Sequence, residues 1–170
     1  MKRFTKILVP TDFSDACAAA LRVATCLARD QQARLVLLHV VAPVAPLSEG
    51  GDRVELRRAE HCEQEQKTYQ EEMWTKLERL EVPAPQQMIE RVVVEGGVVA
   101  EIVRAARTRA CDLIVMGTHG WTADARKLLG SVAEAVVQEA PCAVVTVKAA
   151  PPAANEGDDV TVGTAVVGWR

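Results

Sequence analysis

The stretch Asp112-Leu113-Ile114-Val115-Met116-Gly117-Thr118-His119-Gly120, answered further along by Leu128-Leu129-Gly130-Ser131-Val132-Ala133-Glu134, decides how this chain is read. A short, β-branched apolar run that stops at a glycine has the pattern of a strand covered on both faces. Gly130-Ser131 then opens a helix that runs from Ser131 to Val137 and is stopped by Pro141. The same alternation extends in both directions. Lys6-Ile7-Leu8-Val9 is a buried strand ended by Pro10, and Leu35 to Val41 is a second. Met88 to Val94 is a third, broken by Gly96-Gly97, and Cys142 to Val147 is a fifth. The intervening segments read as helices: Ala16 to Arg29 behind the capping side chains of Thr11 to Asp15, about Asp52 to Glu81, and Val98 to Arg109. The long one carries an apolar stripe of Ala59, Cys62, Gln66, Tyr69, Met73, Leu77 and Leu80, with the charged residues on its solvated face. Strands that alternate with helices imply right-handed βαβ crossovers, and hence a parallel sheet with helices on both faces.

Composition narrows the function. Hydrophobic residues make up 49% and charged residues 25% of 170, so the chain carries a full core and needs no staples. Aromatics are only 4%, which argues against base-stacking platforms, and a net charge of −3 provides no basic field for a nucleic-acid backbone. Five cysteines (Cys17, Cys26, Cys62, Cys111, Cys142) are odd in number, widely spaced and free of any C-x-x-C pair. They are expected as buried or half-buried free thiols in a reducing cytoplasm rather than as a disulfide framework or zinc site. The first apolar run is too short for a signal peptide, and no stretch approaches a membrane span.

In doubly wound sheets, ligands sit beyond the carboxyl ends of strands where the strand order reverses. Two segments lie at such ends: Pro10-Thr11-Asp12 and Gly117-Thr118-His119-Gly120. The second opens the pattern G-x2-G-x9-G-[ST] over Gly117, Gly120, Gly130 and Ser131. Glycines let backbone approach an anion, and a helix start offers unpaired N–H groups and a favourable dipole to phosphate. Arg126 and Lys127 add positive charge inside the loop. The same residues also suit a plain turn and a plain helix cap. Neither the P-loop nor the G-x-G-x-x-G fingerprint occurs.

Together with Ile7-Leu8-Val9-Pro10-Thr11-Asp12-Phe13-Ser14 and Leu37-Leu38-His39-Val40, these segments resemble the nucleotide-binding branch of the universal stress proteins, over about residues 1–148. The resemblance implies an adenine nucleotide alpha hydrolase-like α/β fold: a three-layer sandwich with a five-stranded parallel sheet in the order 3-2-1-4-5. It implies ATP as ligand, with Mg2+ accompanying the nucleotide. Pro10, Thr11 and Asp12 would approach the adenosine and the metal-phosphate region, with Asp12 toward the metal. Val40 would line the adenine pocket beside Met116 and Gly117. Gly120, Gly130, Ser131 and Val132 would wrap ribose and phosphates, while Arg126 is assigned to phosphate on charge alone and His119 stays open between phosphate and solvent. The resemblance further implies a cytoplasmic, stress-responsive homodimer pairing through its last core strand, Ala143 to Val147. No general base beyond Asp12 and His119 and no Walker lysine is present, so at most slow ATP hydrolysis is expected. The competing class is a non-enzymatic interaction module whose pocket is empty or holds another ligand.

The remaining conspicuous residues divide between packing and ligand roles. Asp12 also suits a helix cap with Ser14. His39, inside an apolar strand, is read as a core histidine, and His61 as solvent-facing. Trp121 stays open between a plain loop residue and a cover over the nucleotide or a partner surface, the lid role being the minority reading. Residues 149–170 read as a linker, with Thr161 to Val167 an extra strand or a tail.

Overall fold

The computed structural model describes residues 3–43, 53–118 and 129–149. Within them the chain runs β1 (Lys6–Pro10), α1 (Asp15–Gln31), β2 (Arg34–Val41), α2 (Arg53–Arg79), β3 (Ile89–Glu95), α3 (Val98–Thr108), β4 (Leu113–Gly117), α4 (Ser131–Glu139) and β5 (Ala143–Val147). Each boundary falls within one or two residues of the expected one. A 3₁₀ turn at Gln86–Met88, behind Pro85, was not foreseen.

The five strands form one sheet in the order β3-β2-β1-β4-β5. All four pairings are parallel, as the short apolar runs require. Strand alternation divides the core in two. Ile7, Val9, Leu35, Leu37, Leu113 and Val115 face one side, beneath Ala20, Ala24 and Ala28 of α1 and Leu77 of α2. Leu8, Val36, Leu38, Ile114, Met116 and Val144 face the other, beneath Ile102 and Ala106 of α3 and Ala133 and Val136 of α4. On the first face α1 packs by its alanines, which let its axis lie close to the sheet.

On α2 the expected stripe needs one correction. Met73 and Leu77 are buried, but Tyr69 is 46% exposed, and the inward-leaning neighbours there are Gln66 and Gln70. Gln66 Nε2 donates to the Ala42 carbonyl and Gln70 Nε2 to Glu95, so polar contacts replace apolar ones where α2 passes the ends of β2 and β3.

Candidate functional site

Strand order reverses between β1 and β4, whose helices leave to opposite faces, so the crevice beyond their carboxyl ends is the position the fold offers to a ligand. One wall is the turn after β1. The Thr11 amide still donates to the Leu38 carbonyl at 2.8 Å, the last backbone bond from the β1 side onto β2. The chain then turns on its own side chains. Thr11 Oγ1 accepts from the Phe13 amide at 3.0 Å, and Asp12 Oδ1 accepts from the Ser14 amide at 2.9 Å. Phe13 takes a left-handed conformation (φ 64°), uncommon for a residue with a side chain. Ser14 is the N-cap of α1, accepting from the Cys17 amide at 3.4 Å. Capping therefore falls to Ser14, while Asp12 closes the turn that precedes it. Burial raises the Cys17 thiol above its usual range, and contact with Asp12 acts on it in both directions, the backbone lowering it and the carboxylate raising it.

The opposite wall begins at Gly117, which is buried against α1. A Cβ there would lie 2.9 Å from the Ala16 Cβ and 3.0 Å from its carbonyl carbon. The close approach that demands glycine is thus to a helix of the same chain. The Thr118 amide donates to the Val147 carbonyl at 2.9 Å, and the Gly130 amide to the Thr118 carbonyl at 2.7 Å, so the two ends of the intervening loop are pinned together. Gly130 is the N-cap of α4 with an ordinary extended backbone (φ −72°) and no side-chain cap. Glu134 N closes the first helical bond onto the Gly130 carbonyl. The amides of Ser131, Val132 and Ala133 therefore precede any helical acceptor and point out of the helix end. Ser131 is exposed beside them.

Among the expected site residues, Met116 is in the core beneath α3 and α4, and Val40 and Val132 pack against that same core. Pro10 shares this face by alternation with Leu8. Pro10, Thr11, Asp12, Val40, Met116, Gly117, Gly130, Ser131 and Val132 thus gather at the carboxyl end of β1, β2 and β4. His119, Gly120 and Arg126, together with Trp121 and Lys127, lie outside the described residues. Among the described residues no group of three or more His, Cys, Asp or Glu is arranged to hold a metal. A cavity of about 190 Å³ opens on the opposite side of the β1 turn, between α1 and the segment after α2, lined by Phe13, Cys17, Leu21, Thr25 and Leu80 among others. It lies away from the face that carries Val40 and Met116.

The sequence profile of the Universal stress protein family matches residues 3–148. The chain belongs to that family. Universal stress protein MJ0531 of Methanocaldococcus jannaschii is 35% identical over 147 residues, which cover 85% of this chain and 82% of that one. Among solved structures, MJ0577 superposes with a TM-score of 0.70 at 28% identity, covering 86% of this universal stress protein and 97% of its counterpart. A universal stress protein solved in complex with cAMP superposes with a TM-score of 0.56 at 26% identity, covering 88% and 100% of the two chains.

Two features of this site were not anticipated from sequence. One is the reason for Gly117. The other is His39, which is buried as expected but not idle: its Nδ1 lies 2.8 Å from the Thr11 carbonyl oxygen. Its only sequence signal was a polar residue in the middle of the apolar run Leu35 to Val41.

Proposed function

We propose that this universal stress protein binds ATP, as Mg-ATP, in the crevice between the β1 turn and the start of α4, and that occupancy alters loop or dimer geometry in a cytoplasmic stress response. The observation that carries this reading is the convergence of Val40, Met116 and Val132 on one apolar face. These residues come from three separate elements, and they meet at the mouth where the amides of α4 and the turn of Asp12 also lie. An apolar floor suits an adenine ring, and outward amides at a helix start suit phosphate. The relative bound to cAMP supports an adenine nucleotide as the ligand class.

Asp12 fits the metal role. Its Oδ1 accepts from the Ser14 amide and its carboxylate contacts Cys17. A carboxylate has about four acceptor positions over two oxygens, so a metal would share the group with these contacts. Mg2+ characteristically takes one or two protein carboxylates and completes its shell with phosphate and water, so a three-residue cluster is not required. The ion would neutralise phosphate charge at the turn. With no dedicated general base among the described site residues, turnover is at most slow. Among the described residues the edge strand β5 has β4 alone as a neighbour, and its half-buried Ala143 and Val145 suit pairing across a two-fold axis with a second copy.

The test is to purify the protein, denature it and analyse the released nucleotide, then titrate Mg-ATP into the stripped protein. Released adenine nucleotide, or saturable binding of Mg-ATP, is the expected result. If neither is found, the reading fails and the competing class, a dimeric interaction module, stands.

A further inference from the structure

His39 is 7% exposed, and its ring faces the core beneath α1, with its centroid 4.8 Å from that of Phe13 at an interplanar angle of 38°. The Thr11 carbonyl oxygen, 2.8 Å from Nδ1, can only accept, so Nδ1 carries the proton and the neutral ring is the Nδ1–H tautomer. Nε2 is then a lone pair, buried and without a hydrogen-bond partner among the described residues. A buried acceptor left unmade costs free energy. A leucine between Leu38 and Val40 would fill a comparable volume in this run without that cost. What a histidine adds over leucine here is the bond made by Nδ1.

That bond stands where the sheet stops supporting the chain. The register of β1 on β2 ends at Pro10 opposite Leu38, and the Thr11 amide makes the last backbone contact. The next polar group, the Thr11 carbonyl, is held by the His39 side chain instead. From Thr11 onward the turn is fixed by Thr11 Oγ1, Asp12 Oδ1 and the left-handed Phe13. The ring of Phe13 rests on His39, and Lys76 Nζ of α2 lies 5.9 Å from its centroid.

We propose that His39 is a positioning residue for the nucleotide site: its Nδ1–H fixes the Thr11 carbonyl and thereby sets where Pro10, Thr11 and Asp12 meet the adenosine and the metal-phosphate group. This rests on the nucleotide reading above. The residue touches no ligand itself. It acts from the opposite side of the turn, with Phe13 stacked against it, and Lys76 extends the same stack to α2.

The test uses three variants of the full chain. The amide of Asn branches from Cγ, where the ring carries Nδ1, so His39→Asn retains the donor. His39→Gln moves the amide one bond further, toward the place of Nε2, and His39→Leu removes both. Mg-ATP affinity is expected to fall about tenfold in His39→Leu and His39→Gln and to stay within about twofold in His39→Asn. A purely space-filling role would favour Gln and Leu, which are closer to His in size, over the smaller Asn, the opposite order. Equal affinities in folded Asn, Gln and Leu variants overturn the proposal. Nitrogen-15 spectroscopy of the wild-type histidine rings provides a second arm that needs no variant to fold: the Nδ1–H tautomer of His39 is expected, and a dominant Nε2–H tautomer overturns the proposal. Failure of the wild type to bind Mg-ATP overturns the nucleotide reading instead. The ring spectrum, with faster exchange of the Phe13 and Ser14 amides in His39→Leu than in His39→Asn, then still decides whether His39 holds the turn.

Discussion

The two ends of the sheet are built from similar residues and treat them in opposite ways. At the amino end, Asp112 precedes β4 and its carboxylate is fully engaged. Oδ2 accepts from the Thr5 amide and from Thr5 Oγ1, each at 2.8 Å, and Oδ1 accepts from the Lys6 amide at 3.2 Å. The Asp112 amide in turn donates to the Lys6 carbonyl, and the Cys111 amide to the Ala106 carbonyl. At the carboxyl end, Asp12 closes a turn, the first amides of α4 precede any helical acceptor, His39 carries an unmatched buried nitrogen, and Phe13 sits in a left-handed conformation. One end spends its hydrogen-bonding capacity on itself. The other leaves His39 Nε2 without a partner among the described residues and the first amides of α4 ahead of any helical acceptor, which is where ligand chemistry belongs. Left-handed residues occur at both ends, Phe13 here and Gln32 and Ala110 at the amino end, so hydrogen bonding and not backbone strain separates the two.

Gly117 is the position where the two kinds of demand meet, and it carries the largest expected effect. A side chain there collides with the backbone of Ala16, which cannot swing aside as a flexible side chain would. Gly117→Val is expected to cost about 3 kcal/mol of stability by urea denaturation, and to weaken Mg-ATP binding as well, because α1 carries the turn at its start. A variant as stable as wild type would show that α1 is not seated on β4 as described.

Asp112→Ala breaks the amino end alone. Three donors lose a charged acceptor, and partial access of water offsets some of the loss, so about 2 kcal/mol is expected with Mg-ATP affinity unchanged. A loss of affinity in a folded Asp112→Ala protein would abolish the functional distinction between the ends.

Gly130→Val breaks the carboxyl end alone. The backbone of Gly130 is in a region open to any residue, so the variant should fold, losing about 1 kcal/mol of stability because valine is a poorer N-cap than glycine. The added branches stand over the α4 amides, and Mg-ATP affinity should fall at least about tenfold. Unchanged affinity in the folded variant would remove the α4 start from the site.

The strands and helices were almost wholly legible in the sequence, and the side-chain contacts at the ends of the sheet, Asp112 with Thr5 at one and His39 with Thr11 at the other, were not, for a physical reason. Apolar periodicity dictates which residues are buried, and burial dictates strand and helix, so Leu35 to Val41 or Asp112 to Gly117 fix their elements by composition alone. Val40 and Met116 were assigned to the nucleotide by the family resemblance alone, and strand alternation in the structure puts both on the face beneath α3 and α4. Side chains that answer to one distant partner leave no periodic trace. Nothing in the order of residues says that His39 reaches the Thr11 carbonyl, that Phe13 turns left-handed, or that Gly117 is small for the sake of Ala16. Tyr69 was placed on the buried stripe of α2 by spacing, and it lies exposed because that stretch of α2 meets the sheet through Gln66 and Gln70.

The smallest expected effect concerns the thiols that the sequence left scattered. Cys111 and Cys142 stand at the starts of the adjacent strands β4 and β5, on the face beneath α3 and α4. Burial pushes each up to about 11, with the neighbouring Asp112 adding in the same direction. In an unfolded chain a thiol ionises near 8.5. The folded state therefore holds these two protons more tightly, and the associated stability is fully present below about pH 8.5 and lost as pH rises through about 11. Wild type is expected to lose stability across that window more steeply than a Cys111→Ala, Cys142→Ala double variant, and equal slopes would contradict the shifts. At pH 7 Cys26, which is exposed and not buried or half-buried as expected from the sequence, should take up iodoacetamide at least about tenfold faster than buried Cys111 or half-buried Cys142, by peptide mass mapping. Cys17, at the carboxyl end, is raised by burial as well, yet it is in contact with Asp12, part of the proposed site. Saturating Mg-ATP should thus change the alkylation rate of Cys17 and leave those of Cys111 and Cys142 alone; if all three respond alike, the ends of the sheet are not independent.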